Sequence, residues 1–308
     1  MYSIKRLLVV MELNDHDDVV CDYVNRITDL FSIESILFLH VADNLDVPKE
    51  LVEKYPGLIP PIDDSIKGAI QEKIKNYPRI TSINDIDYQI LDGVKLRSIS
   101  AVVREHDIDL LVINRSDEND SESEVAFLQK VVRSVGCTIT LVPPTLPDDI
   151  NTLLVPIDFS KNSFMALEHA LNLAKKRPNI EIHALHIYKI PSGYFKTGLS
   201  IEGFAEELLK AAKVRLHAFL SENKIDENSF KMHFKLQKND SVPYMINRFS
   251  FSNQVDAVIM GSRGRNTLSS FVLGSITEAL IDRDQYLPLI IVKNKGRSMK
   301  LWDALLEL

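Results

Sequence analysis

Two glycines three residues apart, Gly261 and Gly264, follow the apolar run Ala257 to Met260, and nine residues separate the second from Gly274-Ser275. The run reads as a buried strand. Beyond Gly274, Ile276, Leu280 and Ile281 fall on one side of a helical pattern. Strand, glycine turn and helix start, in that order, build a site for an anion. Glycine tolerates a positive-φ turn. A residue without Cβ lets backbone N–H groups come close to a phosphate. The amides and dipole at a helix start favour negative charge. Arg263 between the glycines, and Arg265 after them, can pair with phosphate or stay solvated. Ser275 and Thr277 can each offer a hydroxyl to a phosphate oxygen or cap the helix. The spacing is not that of the NTPase P-loop, which needs Gly-x-x-x-x-Gly-Lys-Ser/Thr. Nor does Gly-x-Gly-x-x-Gly follow the first strand, as a dinucleotide fingerprint would require.

A second group stands at the end of another apolar run, Val155-Pro156-Ile157-Asp158-Phe-Ser160. A carboxylate there lies at the carboxyl edge of a sheet, where open α/β folds bind ligands. Asp158 can contact such a ligand or cap the helix expected over Asn162 to Ala174, and Ser160 reads mainly as that cap. His169, His183 and His186 lack the spacing of a metal set. On a strand, His183 and His186 face opposite sides. There is no Gly-x-Ser-x-Gly elbow and no His-Glu-x-x-His. No general base is evident near the glycine turn, so any hydrolysis is expected to be slow.

Composition narrows the function classes. The chain has 308 residues, 45% hydrophobic and 26% charged, as in ordinary soluble proteins. Its formal net charge of -7 argues against a protein built to bind nucleic acid. It leaves room for one anion held by backbone amides. Glu12, Asn14 and Asp15 interrupt the short apolar stretch after Met1, and no apolar run approaches the ~18 residues of a membrane span. Two cysteines, Cys21 and Cys137, make no disulfide framework. A cytoplasmic protein with no membrane partner is expected.

Alternating strand and helix patterns run the length of the chain. In the first half, strands are expected at Ile4 to Leu13, Ser35 to Val41, Asp87 to Leu91, Leu110 to Ile113 and Thr138 to Val142. Helices are expected at Asp17 to Phe31, Asp63 to Tyr77, Val94 to His106 and Val125 to Val135. The proline-containing stretch Asn44 to Pro61 suits a loop. Pro143-Pro-Thr-Leu-Pro147 reads as a linker, and the pattern then restarts. Ile4 to Met11 matches Ile150 to Ile157, and His106 to Asn114 matches Asn253 to Gly261 with an offset of 147 residues. A domain-sized repeat follows, with parallel sheets covered on both faces. His40 and His186 end equivalent strands, which suggests one repeated structural role. Residues 188–206, with Gly193, Gly198 and Gly203, read as a mobile loop before a helix from Ala205 to Glu222. It lies over the site or merely connects. In the tail, Leu301, Trp302, Leu305, Leu306 and Leu308 form an apolar stripe suited to packing on its own domain or on a partner.

The pattern Gly-x2-Gly-x9-Gly-Ser, the strand end Val-Pro-Ile-Asp and the repeat together resemble the universal stress protein family in its ATP-binding branch and tandem form. The resemblance covers nearly the whole chain. It implies an α/β fold of two tandem Rossmann-like domains, adenine nucleotide alpha hydrolase-like, each a five-stranded parallel sheet flanked by helices. The expected boundaries are 1–145, 148–295 and a tail at 296–308. It implies ATP, with Mg2+ on its phosphates, as the cofactor. Pro156, Ile157 and Asp158 would lie at the nucleoside and the backbone of Ile187 beside the adenine. Met260, Gly261, Arg263, Gly264, Gly274, Ser275, Ile276 and Thr277 would surround the phosphates. In the family two domains pair through their last strands, so one chain would form an intramolecular pseudo-dimer, or chains would form a homodimer.

The halves are not equivalent. Asn114 and Asp117 replace the two glycines, and Val125-Ala126 stand in the place of Gly274-Ser275. Carboxylates crowd the segment from Asp117 to Glu124, and each close pair of like charges costs on the order of 1 kcal/mol even in high dielectric. The first half is therefore expected to have lost the nucleotide. A stress-response or signalling protein that binds ATP in its second domain is the leading reading. A slow ATPase or adenylate-transferring enzyme, and a scaffold that binds nothing, are its alternatives.

Overall fold

The computed structural model describes residues 4–42, 54, 62–115, 122–264, 273–282 and 286–295. The stretch Asn44 to Pro61, most of the acidic segment after Asp117, Arg265 and the tail from Gly296 lie outside the described residues. The chain divides into two compact units, one of residues 1–146 with 294–308 and one of residues 147–293.

Each unit is a parallel α/β sheet flanked by helices. In the first, β1 (Arg6–Val10), β2 (Ser35–Ala42), β3 (Asp85–Asp92), β4 (Leu110–Asn114) and β5 (Thr138–Val142) lie in the order β3-β2-β1-β4-β5. The longer helices are α1 (His16–Thr28), α2 (Ile62–Ile74), α3 (Lys95–Glu105) and α4 (Glu122–Ser134), with a single turn at Pro78–Thr81 between α2 and β3. In the second unit, β6 (Thr152–Pro156), β7 (Glu181–Lys189), β8 (Lys231–Gln237), β9 (Ala257–Gly261) and β10 (Leu289–Val292) lie in the order β10-β9-β6-β7-β8. Its helices are α5 (Lys161–Lys176), α6 (Ile201–Asn223), α7 (Val242–Ser252) and α8 (Ser275–Asp282). Every strand pair within a unit is parallel. The central strands are apolar along their length because helices cover both faces, so β4 and β9 are buried at every position.

The same local contacts recur in both units. Asp109 Oδ2 accepts the backbone N–H groups of Lys5 and Arg6 at 3.0 and 2.9 Å, and Asp256 Oδ2 accepts those of Asn151 and Thr152 at 2.8 and 2.7 Å. Each aspartate satisfies amides where its first strand begins and no ladder partner exists. His40 Nδ1 donates to the Met11 carbonyl, and His186 Nδ1 to the Ile157 carbonyl, both at 2.8 Å. The residue that leaves the first strand is left-handed in both cases, Leu13 at φ 61° and Phe159 at φ 62°.

Several elements differ from the sequence reading. Helix α6 starts at Ile201, four residues before Ala205, because Ser200 caps it by accepting the Gly203 N–H at 3.0 Å. Gly203 reads as a loop residue but sits in the first helical turn. Only part of the 188–206 stretch is loop, and it includes the short turn Tyr194–Thr197. The residue pattern alone leaves β8 and α7 unassigned; β8 is half-exposed along most of its length and carries three lysine or histidine positions among seven residues.

His169, on the buried face of α5 with Ala166, Ala170 and Leu173, has its pKa pushed down to about 4 by burial. The unfolded chain therefore takes up this proton first as pH falls. The contribution is whole above about 6.5 and is lost progressively down to about 4, on the order of 3 kcal/mol in total. Denaturant unfolding between pH 7 and 4 should show that loss, and His169→Gln should flatten it. An unchanged slope in the variant would remove His169 as the source.

Candidate functional site

The crevice of the second unit opens where the strand order reverses, between the carboxyl ends of β6 and β9, the usual ligand position in such sheets. A cavity of about 640 Å³ occupies it. All twelve residues singled out in the sequence line this one cavity. Pro156, Ile157 and Asp158 arrive from β6, Ile187 from β7, and Met260 and Gly261 from β9. Arg263, Gly264 and Gly274 to Thr277 close it from the turn and the start of α8.

Space, not torsion, explains the glycines. Among the described glycines only Gly93 and Gly198 have positive φ, so the expected positive-φ turn is not what Gly261, Gly264 and Gly274 provide. A Cβ on Gly261 would stand 2.7 Å from the backbone carbon and oxygen of Asn162 in α5. One on Gly264 would stand 2.9 Å from Asp158 Oδ2, and one on Gly274 3.3 Å from Arg263 Cα. The glycines let the end of β9, the first turn of α5 and the Asp158 carboxylate close around one space.

Several backbone groups are already committed. The Gly274 N–H donates to the Ser262 carbonyl at 3.0 Å, and the Gly274 carbonyl accepts from Glu278 at 2.9 Å, which starts α8. The amides of Ser275 and Ile276 then fall in the first helical turn, where no intrahelical acceptor exists. Their N–H groups and the helix dipole point a positive end at the cavity. Thr277 is 2% exposed, and its hydroxyl donates to the Gly261 carbonyl at 3.3 Å, tying α8 to β9. The helix α5 is capped by Ser160, which accepts the Ser163 N–H at 3.2 Å. Asp158 is not that cap. Its Oδ1 accepts the Ser160 N–H at 3.0 Å, which fixes the carboxylate beside Gly264.

At the β7 side, the Ile157 N–H donates to the Leu185 carbonyl at 2.9 Å. The next rung of a parallel ladder would join the Ile187 N–H to the Ile157 carbonyl. The His186 imidazole takes that carbonyl instead. Since polar groups alternate along a strand, the N–H and C=O of Ile187 point past the end of β6 toward the cavity. That pair of one donor and one acceptor matches the edge of a purine base.

Five lining residues escaped the sequence reading: Ser163, Leu185, Lys189, Val242 and Ile246. Period-two alternation from Ile187 gives Leu185 and Lys189. Val242 and Ile246 lie four apart on α7, after the Ser241 cap, a helix that the residue pattern leaves unassigned.

The matching crevice of the first unit is about 200 Å³. Glu12, at the place of Asp158, is bonded to Lys95, which stands where the second unit has Val242. The Lys95 ammonium also lies 5.1 Å from the Phe127 ring centroid, and Phe127 lines this crevice from α4. Asp17, at the place of Ser163, accepts the N–H groups of Glu12 and Leu13 at 2.9 and 2.7 Å. Burial raises its pKa, against the lowering effect of those two hydrogen bonds.

A parallel α/β unit with a glycine-lined crevice at its switch point defines the class. The model of the universal stress protein family matches residues 150–293, so this span is a universal stress protein domain. Two universal stress proteins of Methanocaldococcus jannaschii are similar in sequence. One is 26% identical over 143 residues, 46% of this chain and 81% of its own. The other is 28% identical over 159 residues, 47% of this chain and 95% of its own. Among solved structures, a universal stress protein from Archaeoglobus fulgidus covers 94% of this chain and 98% of its own at 16% identity, with a TM-score of 0.63. A protein of unknown function from Pseudomonas aeruginosa covers 100% and 99% at 13% identity, with a TM-score of 0.69. These two share the fold.

The close approach at Gly261 makes a direct prediction. Gly261→Ala should cost about 1–3 kcal/mol, because the atoms it meets are backbone and cannot swing aside. Gly264→Ala should cost less, since the Asp158 carboxylate can rotate. Equal stability of Gly261→Ala and the parent in denaturant unfolding would refute the packing described.

Proposed function

We propose that the second unit binds an adenine nucleotide, ATP with Mg2+, and acts as a nucleotide-dependent stress-response or signalling protein. The observation that carries this is the gathering of all twelve singled-out residues around one cavity of about 640 Å³. The cavity has an apolar end and a polar end. Leu185, Ile187, Val242, Ile246 and Met260 suit a base, and Asp158 suits a ribose hydroxyl. The polyphosphate lies at Arg263, Gly264 and the first turn of α8, where amides, the dipole and a guanidinium favour negative charge. Glycine at these positions keeps the cradle free of Cβ atoms. Among the described residues no group of three or more His, Cys, Asp or Glu is placed to hold a metal, so the cation rides on the phosphates.

The first unit does not bind nucleotide in this reading. Its crevice is smaller, and the Lys95–Glu12 pair and the Phe127 ring stand where a nucleotide would lie. The chain is then a tandem protein of the family, with one degenerate domain at 1–145 and one nucleotide-binding domain at 148–295. The family resemblance extends this to a pseudo-dimer of the two domains. No helix among the described residues is long and apolar enough to cross a membrane.

Thermal unfolding with ATP and Mg2+ tests the reading. At a hundredfold excess over Kd, binding stabilises by about 2.7 kcal/mol, so the parent should show a clear rise in Tm. Gly264→Asp, which places a second carboxylate against Asp158, should show none while retaining its fold by circular dichroism. A parent protein indifferent to ATP would point to a scaffold. Phosphate release on the same samples separates a nucleotide-binding switch from an ATPase, and only slow turnover or none is expected.

A further inference from the structure

One face of β7 runs from a histidine pair into the cavity. His183, Leu185, Ile187 and Lys189 alternate onto the same side of the strand, and the last three line the cavity. His183 lies at the other end of this face, 6% exposed, and its ring stacks on that of His233 from β8 at 5.0 Å and 22°. Helix α7 spans both ends. Val242, Ile246 and Phe249 are spaced four and three apart and so share a stripe. Val242 and Ile246 line the cavity. Phe249 packs edge-on against both imidazoles, at 4.8 Å from His233 and 5.9 Å from His183.

His183 Nδ1 and His233 Nε2 are buried and have no hydrogen-bond partner. The surrounding charges are Glu181 on β7, which bonds to His183 Nε2 and also pairs with Lys231 at 2.6 Å, and Lys231 and Lys235 on β8. Helix α7 brings Phe249 and no carboxylate, since its one charged residue is Arg248. Among the described residues, Glu181 is thus the one counter-ion beside the pair, already shared with a lysine. Burial first, and then the neighbouring His183 and lysines, hold the His233 pKa below its ordinary value.

We propose that this histidine pair makes nucleotide binding in the second unit pH-responsive: protonation of the stacked rings displaces Phe249, shifts α7, and withdraws Val242 and Ile246 from the bound base. The proposal rests on the nucleotide reading above. It makes mild acid a signal for release. A cation forced against a second imidazole and a phenylalanine edge has no buried acceptor to satisfy its new N–H, and such a group is costly to leave unpaired. The lowest-cost response is local opening of the helix that covers it.

The test compares the parent chain with His233→Phe, which keeps a ring in the stack and removes one of its two titratable imidazoles. His183→Gln serves as a second variant should the phenylalanine overpack. Calorimetric titration with ATP and Mg2+ at pH 7.5 and 5.5 should show the parent losing about tenfold more affinity than either variant, a coupling of ordinary allosteric size. Protonation of the phosphates themselves is common to all three proteins and cancels. Hydrogen exchange of the α7 amides, corrected for intrinsic rates, should show protection falling at pH 5.5 in the parent and holding in the variants. Equal pH profiles, or unchanged α7 protection in the parent, would overturn the proposal. If α7 loosens with acid but no protein binds nucleotide at any pH, the nucleotide reading fails and the helix response stands.

Discussion

The second unit depends on one close approach of backbone to backbone. The end of β9 meets the first turn of α5 so closely that a single methyl on Gly261 would overlap the Asn162 carbonyl group. That contact sets where β9 ends and the turn begins. Thr277 then fastens α8 to the same point through the Gly261 carbonyl, and Asp158 is pressed against Gly264. The first turn of α8 is aimed at the crevice because three elements converge on a residue without a side chain. Electrostatics alone would not position it. The helix dipole is available at any helix start, and packing decides which one faces a ligand space.

This division of labour explains what the sequence disclosed. The strands and most helices were legible because buried parallel strands are continuous apolar runs, and the helices that cover them carry stripes. Leu110 to Ile113 and Thr138 to Val142 needed no further information. Of the twelve candidate residues that line the cavity, the glycines, the strand-end aspartate and the helix-start serine stand out by residue type, whereas Ile187 was indicated only by the family resemblance. What the sequence hid has physical causes. Strand β8 is half-exposed, so its lysines and histidines mask the strand signal. Helix α6 begins inside a glycine-containing stretch, where a serine cap outweighs the poor helix propensity of Gly203. The purpose of the glycines was misjudged for a related reason. Sequence registers that a residue lacks Cβ, whereas only coordinates show whether torsion or a neighbour demands it.

The two units show how little is needed to change a site while the fold is kept. The aspartates that grip the first strands, the histidines that take the strand-end carbonyls, and the left-handed residues after β1 and β6 are common to both. These contacts satisfy backbone groups, so losing them would cost stability in either unit. The differences that bear on the crevice are side chains facing it. The Phe127 ring lines the crevice, valine becomes lysine at Lys95, and a hydroxyl becomes a buried carboxylate at Asp17. A bulky ring, an internal ion pair and added negative charge each reduce the room or the favourable potential for a polyphosphate. The fold tolerates them because none touches the strand ladder.

His186 shows that a shared contact can serve different ends in the two units. In both, an imidazole takes the carbonyl that the parallel ladder would otherwise use. In the first unit this simply ends the pairing of β1 with β2, since the crevice beyond is occupied by protein side chains. In the second, the amide left over belongs to Ile187 and borders a cavity large enough for a base. The imidazole is therefore better regarded as part of the strand termination than as a ligand contact. A site of this kind is built by ending a sheet in a controlled way and leaving the adjacent space empty. Its specificity then resides in backbone groups that only a proline substitution could delete, and its presence or absence is decided by the side chains allowed to stand in front of them.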